Sequence, residues 1–364
     1  MKERATMTVL QVCAYGAAYA GNFIASLEAL ERELEKRNIR TIYAFVGRAG
    51  EQEWCKRIEQ RTKVYYLPEA KARILPKTYE VFRQIYREND ISIVHSHFEL
   101  YDIPATVMAK PGTKIFWHLH DPIQLSKQST SRRILTRFQY GLVGRKATLL
   151  SVAEEYRKMV VSLGFPEEQT TTVVNGLDPK RVTPLPEAHN ADYDFLTFGW
   201  DFFRKGGDLI LDACKLLAAD GHRFRLLFNG NGHTWPKLAE YLDGPDPQWL
   251  VRGEPVENIN ELFSASRVFI QASRRETFSY AVCEAAYAGL PVISTDIAGL
   301  EWAHDLPTVD FVPGEDVQAL YAAMKRYLEG KAFDMAQADC TRSIIAQRYS
   351  TEEWTRKVLT HYGV

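Results

Sequence analysis

Short apolar runs alternate with stretches of helical periodicity along almost the whole of this chain. Val9–Val12 reads as a strand, and Phe23, Leu27, Leu30 and Leu34 follow at spacings of three and four, one face of a helix. The apolar runs Thr41–Val46, Val64–Tyr66, Ile91–Val94, Lys114–Trp117 and Thr148–Val152 come next, with helices between most of them. Alternation of this kind predicts a parallel, doubly wound α/β sheet.

The pattern breaks at Asp178–Ala191, which holds Pro179, Pro184 and Pro186 and has no periodicity, as a linker would. A second β-α series starts at Phe195–Gly199 and runs through Arg223–Phe228, Trp249–Val251, Val268–Gln271, Pro291–Ser294 and Thr308–Val312. From Val317 the chain is helical, with Trp354 in the last helix. At 364 residues two cores are expected rather than one. The expected division is residues 1–185, residues 186–340, and a helical segment 341–364 that is a candidate to pack back on the first domain.

A composition of 46% hydrophobic and 25% charged residues supplies two cores and excludes overall disorder. The net charge of -1 conceals an asymmetry: residues 1–185 carry 28 Lys and Arg against 20 Asp and Glu, and the remainder 17 against 26. A basic half favours anionic partners, although chance segregation of solvated charge gives the same count. Cys13, Cys55, Cys214, Cys283 and Cys340 are scattered without a CxxC pair, which argues against a disulfide framework or zinc site and for a reducing compartment. Ala18-Tyr19-Ala20 mimics a signal-peptide cleavage site, but Gln11, Tyr15 and Gly16 interrupt the apolar run before it, so this segment reads as strand plus loop. Asp192-Tyr193-Asp194 matches a metal-binding DxD pattern on paper, but it precedes a strand and reads as a solvated turn. No metal or other cofactor is expected.

The stretch Arg275-Glu276-Thr277-Phe278-Ser279-Tyr280 through Glu284 follows the apolar strand Val268–Ala272. A loop presents Glu276, a helix starts near Phe278, and Glu284 lies two turns along it, about 10 Å from the start. Backbone N–H groups at a helix start suit a phosphate, and carboxylates suit hydroxyls, so the pattern fits a sugar nucleotide. Two glutamates eight apart also occur on solvated faces; the apolar neighbours of Glu284 favour the site reading.

These residues form part of a larger set. Asn175-Gly176-Leu177-Asp178, Phe198-Gly199, Lys205-Gly206-Gly207-Asp208, Asn229-Gly230-Asn231-Gly232, Ser273–Phe278, Glu284-Ala285 and Gly289–Ile293 occur in that order. The set resembles the donor domain of family 4 retaining glycosyltransferases, enzymes of GT-B architecture with two Rossmann-like domains facing each other across a cleft. The first half resembles the family more loosely, through Gly21 and through His118-Leu119-His120-Asp121.

The resemblance implies roles. Glu284 would hold the ribose hydroxyls, and Glu276 would contact the transferred sugar. Backbone N–H groups of Phe278, Ser279 and Tyr280 would receive the distal phosphate. Lys205 would neutralise the diphosphate leaving group, with Arg204 as a weaker candidate for the same charge. Trp200 stands where the family commonly has arginine. His120 would approach the donor sugar; His118, His95 and His97 are structural or acceptor-side candidates. Gly21 would lie by the phosphates, although Ala20-Gly21 replaces the usual glycine pair. Base contacts would fall near Gly253–Val256.

The function implied is metal-independent, retaining transfer from a nucleotide sugar to a glycan or lipid-linked acceptor, in bacterial glycan or polysaccharide synthesis. Two basic stretches are candidates for contact with an anionic membrane: Lys71, Arg73, Lys77, Arg83 and Arg87, and Lys127, Arg132, Arg133, Arg137, Arg145 and Lys146. The expected location is cytoplasmic, with the inner face of the membrane as a candidate site. The alternatives are a non-catalytic GT-B subunit or glycan-binding partner, and a sugar-nucleotide epimerase or dehydrogenase. Gly16–Gly21 is not GxGxxG, which counts against a dehydrogenase. Nucleic acid is not an expected partner, since the basic half carries no recognition motif.

Overall fold

A computed structural model describes residues 7–70, 72–121, 129–186, 189–256, 258–331 and 334–364. Lys71, Pro122 and Lys127, named above, lie outside the described residues. The strands are β1 (Met7–Cys13), β2 (Ile39–Val46), β3 (Val64–Leu67), β4 (Ile93–His97), β5 (Lys114–Leu119), β6 (Thr148–Ser151), β7 (Thr170–Thr172), β8 (Tyr193–Phe198), β9 (Leu226–Asn229), β10 (Leu250–Gly253), β11 (Ser266–Gln271), β12 (Val292–Asp296) and β13 (Val309–Pro313). The helices are α1 (Gly21–Lys36), α2 (Glu53–Glu59), α3 (Pro76–Glu88), α4 (Asp102–Met108), α5 (Thr130–Phe138), α6 (Glu154–Ser162), α7 (Gly207–Ala219), α8 (Thr234–Leu242), α9 (Ile259–Ser264), α10 (Tyr280–Ala288), α11 (Val317–Leu328), α12 (Met335–Arg348) and α13 (Thr351–Tyr362).

The chain forms two compact units, one of residues 1–176 with 351–364, the other of residues 177–350. The first holds a seven-stranded sheet in the order β3-β2-β1-β4-β5-β6-β7, and the second a six-stranded sheet in the order β10-β9-β8-β11-β12-β13. Neighbouring strands pair in parallel throughout. In each sheet the order reverses beside the first strand, between β1 and β4 and between β8 and β11. Ligands of doubly wound sheets bind at the carboxyl ends of the strands flanking that reversal.

Central strands covered on both faces need continuous apolar sequence, and β1 and β8 supply it. Val9, Leu10, Val12 and Cys13 are fully buried, together with Ile24, Leu27, Leu30 and Leu34 of α1. Each such aliphatic side chain contributes roughly 1.5–3 kcal/mol by leaving water. Trp354, Val358, Leu359 and Tyr362 of α13 complete the same core. In the second unit Phe195, Ile210, Leu211, Cys214 and Leu217 play the corresponding part.

The passage between units falls earlier than the proline-rich stretch. Val182 and Leu185 are buried, and the Leu185 N–H donates to Ala288 O at 2.8 Å, so this stretch is packed chain and not a free linker. The C-terminal segment divides: α12 belongs to the second unit and α13 to the first. Leu177 bridges Ser350 in parallel, and its N–H donates to Tyr349 O at 2.7 Å. Strand β7 is absent from the sequence reading because Thr170–Thr172 carries no apolar residue, although threonine suits extended backbone. Asp192 and Asp194 lie at the start of β8, where Asp194 accepts from the Arg225 N–H at 2.9 Å. That is the sheet edge opposite the strand ends discussed next.

Candidate functional site

Strand β8 ends at Phe198 and β11 at Gln271, so the loops after them flank the reversal of the second sheet. The first loop supplies Arg204 and Lys205, and the second supplies Ser273 and Glu276. Lys205 Nζ lies 2.6 Å from Glu276 Oε1. Ser273 Oγ and Gln271 Nε2 each donate to the same oxygen at 2.9 Å, and Arg204 Nη1 lies 3.5 Å from it. Arg204 also pairs with Asp201 at 3.0 Å. Although they are sequence neighbours, Arg204 and Lys205 both reach Glu276. The carboxylate is 8% exposed, and its position is fixed by several donors converging on one oxygen.

Two backbone features hold these loops together. Gly206 adopts φ +69°, and a Cβ on it would stand 1.9 Å from Ala272 O. Only glycine lets the lysine loop lie this close to the end of β11. Gly299 adopts φ +86°, and a Cβ there would stand 2.3 Å from Glu276 O.

Helix α10 starts at Tyr280, two residues later than the sequence periodicity predicts. Ser279 sets the boundary: its φ of 58° is outside the helical region, and its Oγ accepts from the Val282 N–H at 3.4 Å as an N-cap. Glu284 therefore lies about 6 Å along the helix axis from Tyr280, at 1.5 Å per residue, and not two turns in. It is buried, in the same row as Cys283, Ala285 and Ala286. Burial, and next the Glu284 charge, push the Cys283 thiol well above its ordinary pKa. Phe278 is buried with its ring 4.5 Å from that of Trp302, whose indole N–H donates to Phe278 O at 2.7 Å. Trp200, at the position of the family arginine, is half exposed.

In the first unit the polar cluster is a row of imidazoles on the strands beside that sheet's reversal. His95 and His97 lie on β4, His118 on β5 and His120 just after it. All four are buried. His97 Nδ1 lies 3.0 Å from His120 Nε2, and His120 Nδ1 lies 3.2 Å from Asn175 Oδ1. Both ring nitrogens of His120 are thus engaged inside the unit. Burial first, then the neighbouring His95, lowers the His120 pKa to about 3. Burial, reinforced by the other rings, holds His95, His97 and His118 well below the ordinary value. Gly21 opens α1 with φ +61°, a conformation that suits glycine.

Sequence reasoning gave no role to Gln271, Ser273, Gln11, Asn175 or Tyr362, all of which bond to the candidate residues. Gln271 and Gln11 carried a readable signal: each is a lone amide inside an apolar strand, where an unpaired polar group is costly. Tyr362 carried none, because it comes from the far end of the chain.

The two basic stretches differ. In the first, Phe82, Ile85 and Tyr86 are buried in α3, and Arg73 is paired with Glu99 at 3.0 Å. In the second, Ile134, Leu135, Phe138 and Leu142 are exposed beside exposed Arg132, Arg133, Arg137, Arg145 and Lys146. No helix among the described residues is long and apolar enough to cross a membrane.

Residues 194–330 match the family described as Glycosyl transferases group 1, and residues 25–181 match Glycosyltransferase Family 4. The fission-yeast gpi3 subunit of phosphatidylinositol N-acetylglucosaminyltransferase is 23% identical over 243 residues, 61% of this chain and 50% of the relative. Its human counterpart by name is 22% identical over 265 residues, 69% of this chain and 54% of the relative. The chain thus spans about half the length of the curated relatives it matches. A glycosyltransferase from Rickettsia africae ESF-5 superposes with a TM-score of 0.77 at 16% identity, over 98% of this chain and 97% of that one. Anabaena Alr3699/HepE, solved in complex with UDP and glucose, superposes with a TM-score of 0.77 at 15% identity, over 98% and 99%. At these identities the structural likeness establishes the fold, which is GT-B.

Proposed function

This chain belongs to the glycosyltransferases of group 1, and we propose that it moves a sugar from a nucleotide-sugar donor to a hydroxyl acceptor with retention of anomeric configuration. The observation that carries this reading is the Lys205–Glu276 pair, held at the strand ends where a doubly wound sheet binds its ligand.

In this proposal Glu284 holds the ribose, Glu276 contacts the transferred sugar, and the backbone at Phe278, Ser279 and Tyr280 receives the distal phosphate. The acceptor hydroxyl attacks the anomeric carbon from the side of the departing diphosphate. The bond from that carbon to the phosphate oxygen breaks, the new C–O bond forms, and the hydroxyl proton passes to the phosphate. Lys205, seconded by Arg204, offsets the charge that builds on the diphosphate, so the scheme needs no metal. Fixed cations aimed at developing charge are usually the largest catalytic contribution. His120 carries over from the family as the proposed catalytic histidine of the first unit.

The UDP bound to the Anabaena protein favours a uridine nucleotide, and a bacterial cell-surface glycan or lipid-linked acceptor is the proposed target. The exposed apolar and basic surface of α5 is proposed to rest on an anionic membrane leaflet. Calorimetric binding against a panel of nucleoside diphosphates and their sugars, with wild type beside Glu284→Ala, tests the donor site. We expect one nucleotide to bind and the variant to lose it. No binding anywhere in the panel would overturn the donor assignment and favour a non-catalytic role.

A further inference from the structure

Seven side chains of the first unit join in one unbranched hydrogen-bonded row. Asn175 Oδ1 lies 3.2 Å from His120 Nδ1, His120 Nε2 lies 3.0 Å from His97 Nδ1, and His97 Nε2 lies 3.0 Å from Gln11 Oε1. Gln11 Nε2 lies 3.1 Å from the Tyr362 hydroxyl, which lies 2.7 Å from His95 Nδ1. His95 Nε2 lies 3.2 Å from His118 Nδ1. His118 Nε2 is buried with no hydrogen-bond partner and ends the row.

A neutral imidazole has one N–H and one lone pair, so it donates on one side and accepts on the other. A side-chain amide bonded through both its atoms does the same, and so does a hydroxyl that donates to one neighbour and accepts from the other. Each member therefore hands the direction of its bond to the next. Starting at Asn175 Oδ1, an acceptor, His120 must carry its hydrogen on Nδ1, and so must His97. The His97 Nε2 lone pair then meets Gln11 Oε1, and no bond forms there. Three bonds between two amide oxygens require three hydrogens, and two neutral rings hold two.

One amide turned end for end removes the conflict, because the amide O and N are assigned from their partners. With Gln11 turned, every ring in the row carries its hydrogen on Nδ1. With Asn175 turned, every ring carries it on Nε2. A charged ring would supply the third hydrogen, but these rings are buried against one another, and a charge there is costly. The ligating nitrogens of His95, His97 and His118 also lie within 4.8 Å of one another, as a metal would require. Both nitrogens of His95 and of His97 are already committed to the row, which argues for hydrogen bonding over metal binding.

We propose that the row is one polarised unit in which His95, His97, His118 and His120 share a single tautomer, and that His97, Gln11 and Tyr362 are positioning residues for His120. A change at the His118 end, where Trp354 of α13 stacks at 5.9 Å, is then felt at His120 through the row. The importance of His120 rests on the transfer reading; the shared tautomer does not.

The test is a two-bond 15N–1H correlation spectrum of the full chain carrying 15N-labelled histidine, at pH 7. We expect the four buried rings to be neutral and all of one tautomer. A mixture of tautomers among them, or a charged ring, overturns the proposal. His97→Phe keeps ring volume and removes both nitrogens. In it the His120 Nε2 signal should shift while those of the exposed His233 and His304 in the second unit stay in place. An unmoved His120 signal overturns the positioning role, and if the variant does not fold, the wild-type spectrum decides alone. Neither measurement uses a donor, so failure of the row and failure of the transfer reading remain distinguishable.

Discussion

Lys205 Nζ and Glu276 Oε1 lie 2.6 Å apart across 71 residues of sequence, with each side chain about nine-tenths buried. A lysine held this way is ready to exchange its partner for a diphosphate without reorganising. We expect Lys205→Ala to lower kcat by roughly 100- to 1000-fold, the usual consequence of removing one fixed charge aimed at a transition state. Melting should fall as well, by the equivalent of about 1–3 kcal/mol, since Glu276 then loses a charged partner in a poorly solvated place. Steady-state kinetics with the donor found by calorimetry decides it. Wild-type turnover in the variant would remove Lys205 from the mechanism.

Ser279 combines two opposing effects. Its φ of 58° is strained for a residue with a Cβ, while its Oγ caps α10 and accepts from Gln271 at 3.0 Å. Ser279→Ala keeps the strain and loses the cap, at a cost of about 1 kcal/mol. Ser279→Gly loses the cap and relieves the strain. The glycine variant should therefore melt above the alanine variant; the reverse order would show that the left-handed backbone carries little strain.

Gly206 and Gly221 make a controlled pair. Both have positive φ, but a Cβ on Gly206 strikes Ala272 O, whereas one on Gly221 meets nothing within 4 Å. Gly221→Ala should cost only the conformational penalty, about 1–2 kcal/mol. Gly206→Ala should cost more than that and also weaken donor binding about tenfold or more, because the lysine loop must lift away from β11. Equal losses of stability in the two variants, with binding intact, would mean that the close approach is dispensable.

The β-α alternation made both sheets legible, because apolar strands and amphipathic helices have different periods. Lys205, Glu276 and Glu284 were legible through a spaced motif. Gln271 and Asn175 were missed as partners because a hydrogen bond between side chains leaves no periodic trace. Ser279 shows the limit at helix boundaries: the apolar pattern runs through Phe278, but a capping hydroxyl in left-handed backbone starts the helix after it. The division of the C-terminal segment turns on a single backbone bond, Leu177 to Tyr349, which no composition shift announces.

The four buried imidazoles give stability a definite dependence on pH. In the unfolded chain each ring takes a proton near pH 6.5, whereas folded His120 resists until about pH 3. Between those values the unfolded state binds more protons, so stability is full above about 6.5 and falls as pH drops, by about 1.4 kcal/mol per pH unit for each ring. Asp102 works the other way, since burial raises its carboxyl to about 7, but it is one group against four. We expect the melting temperature to fall steeply below pH 6.5 and His120→Gln to flatten that slope. An unchanged slope in the variant would mean that His120 is protonated in the folded state.

The surface of α5 offers the last test. Ile134, Phe138 and Leu142 are 65%, 48% and 58% exposed, next to Arg132, Arg133 and Arg137. Apolar side chains supply insertion, and each arginine near an anionic surface contributes about 1 kcal/mol. Vesicles rich in anionic lipid should therefore sediment the chain at low salt. Binding should fall on raising the salt, because screening weakens the charge contribution. It should also fall in a double variant, Ile134→Ser with Phe138→Ser, whose exposed positions leave the fold intact. Neutral vesicles separate the two contributions, since they retain the apolar one alone. Equal sedimentation with neutral and anionic vesicles, or none with either, would remove the membrane from the list of partners.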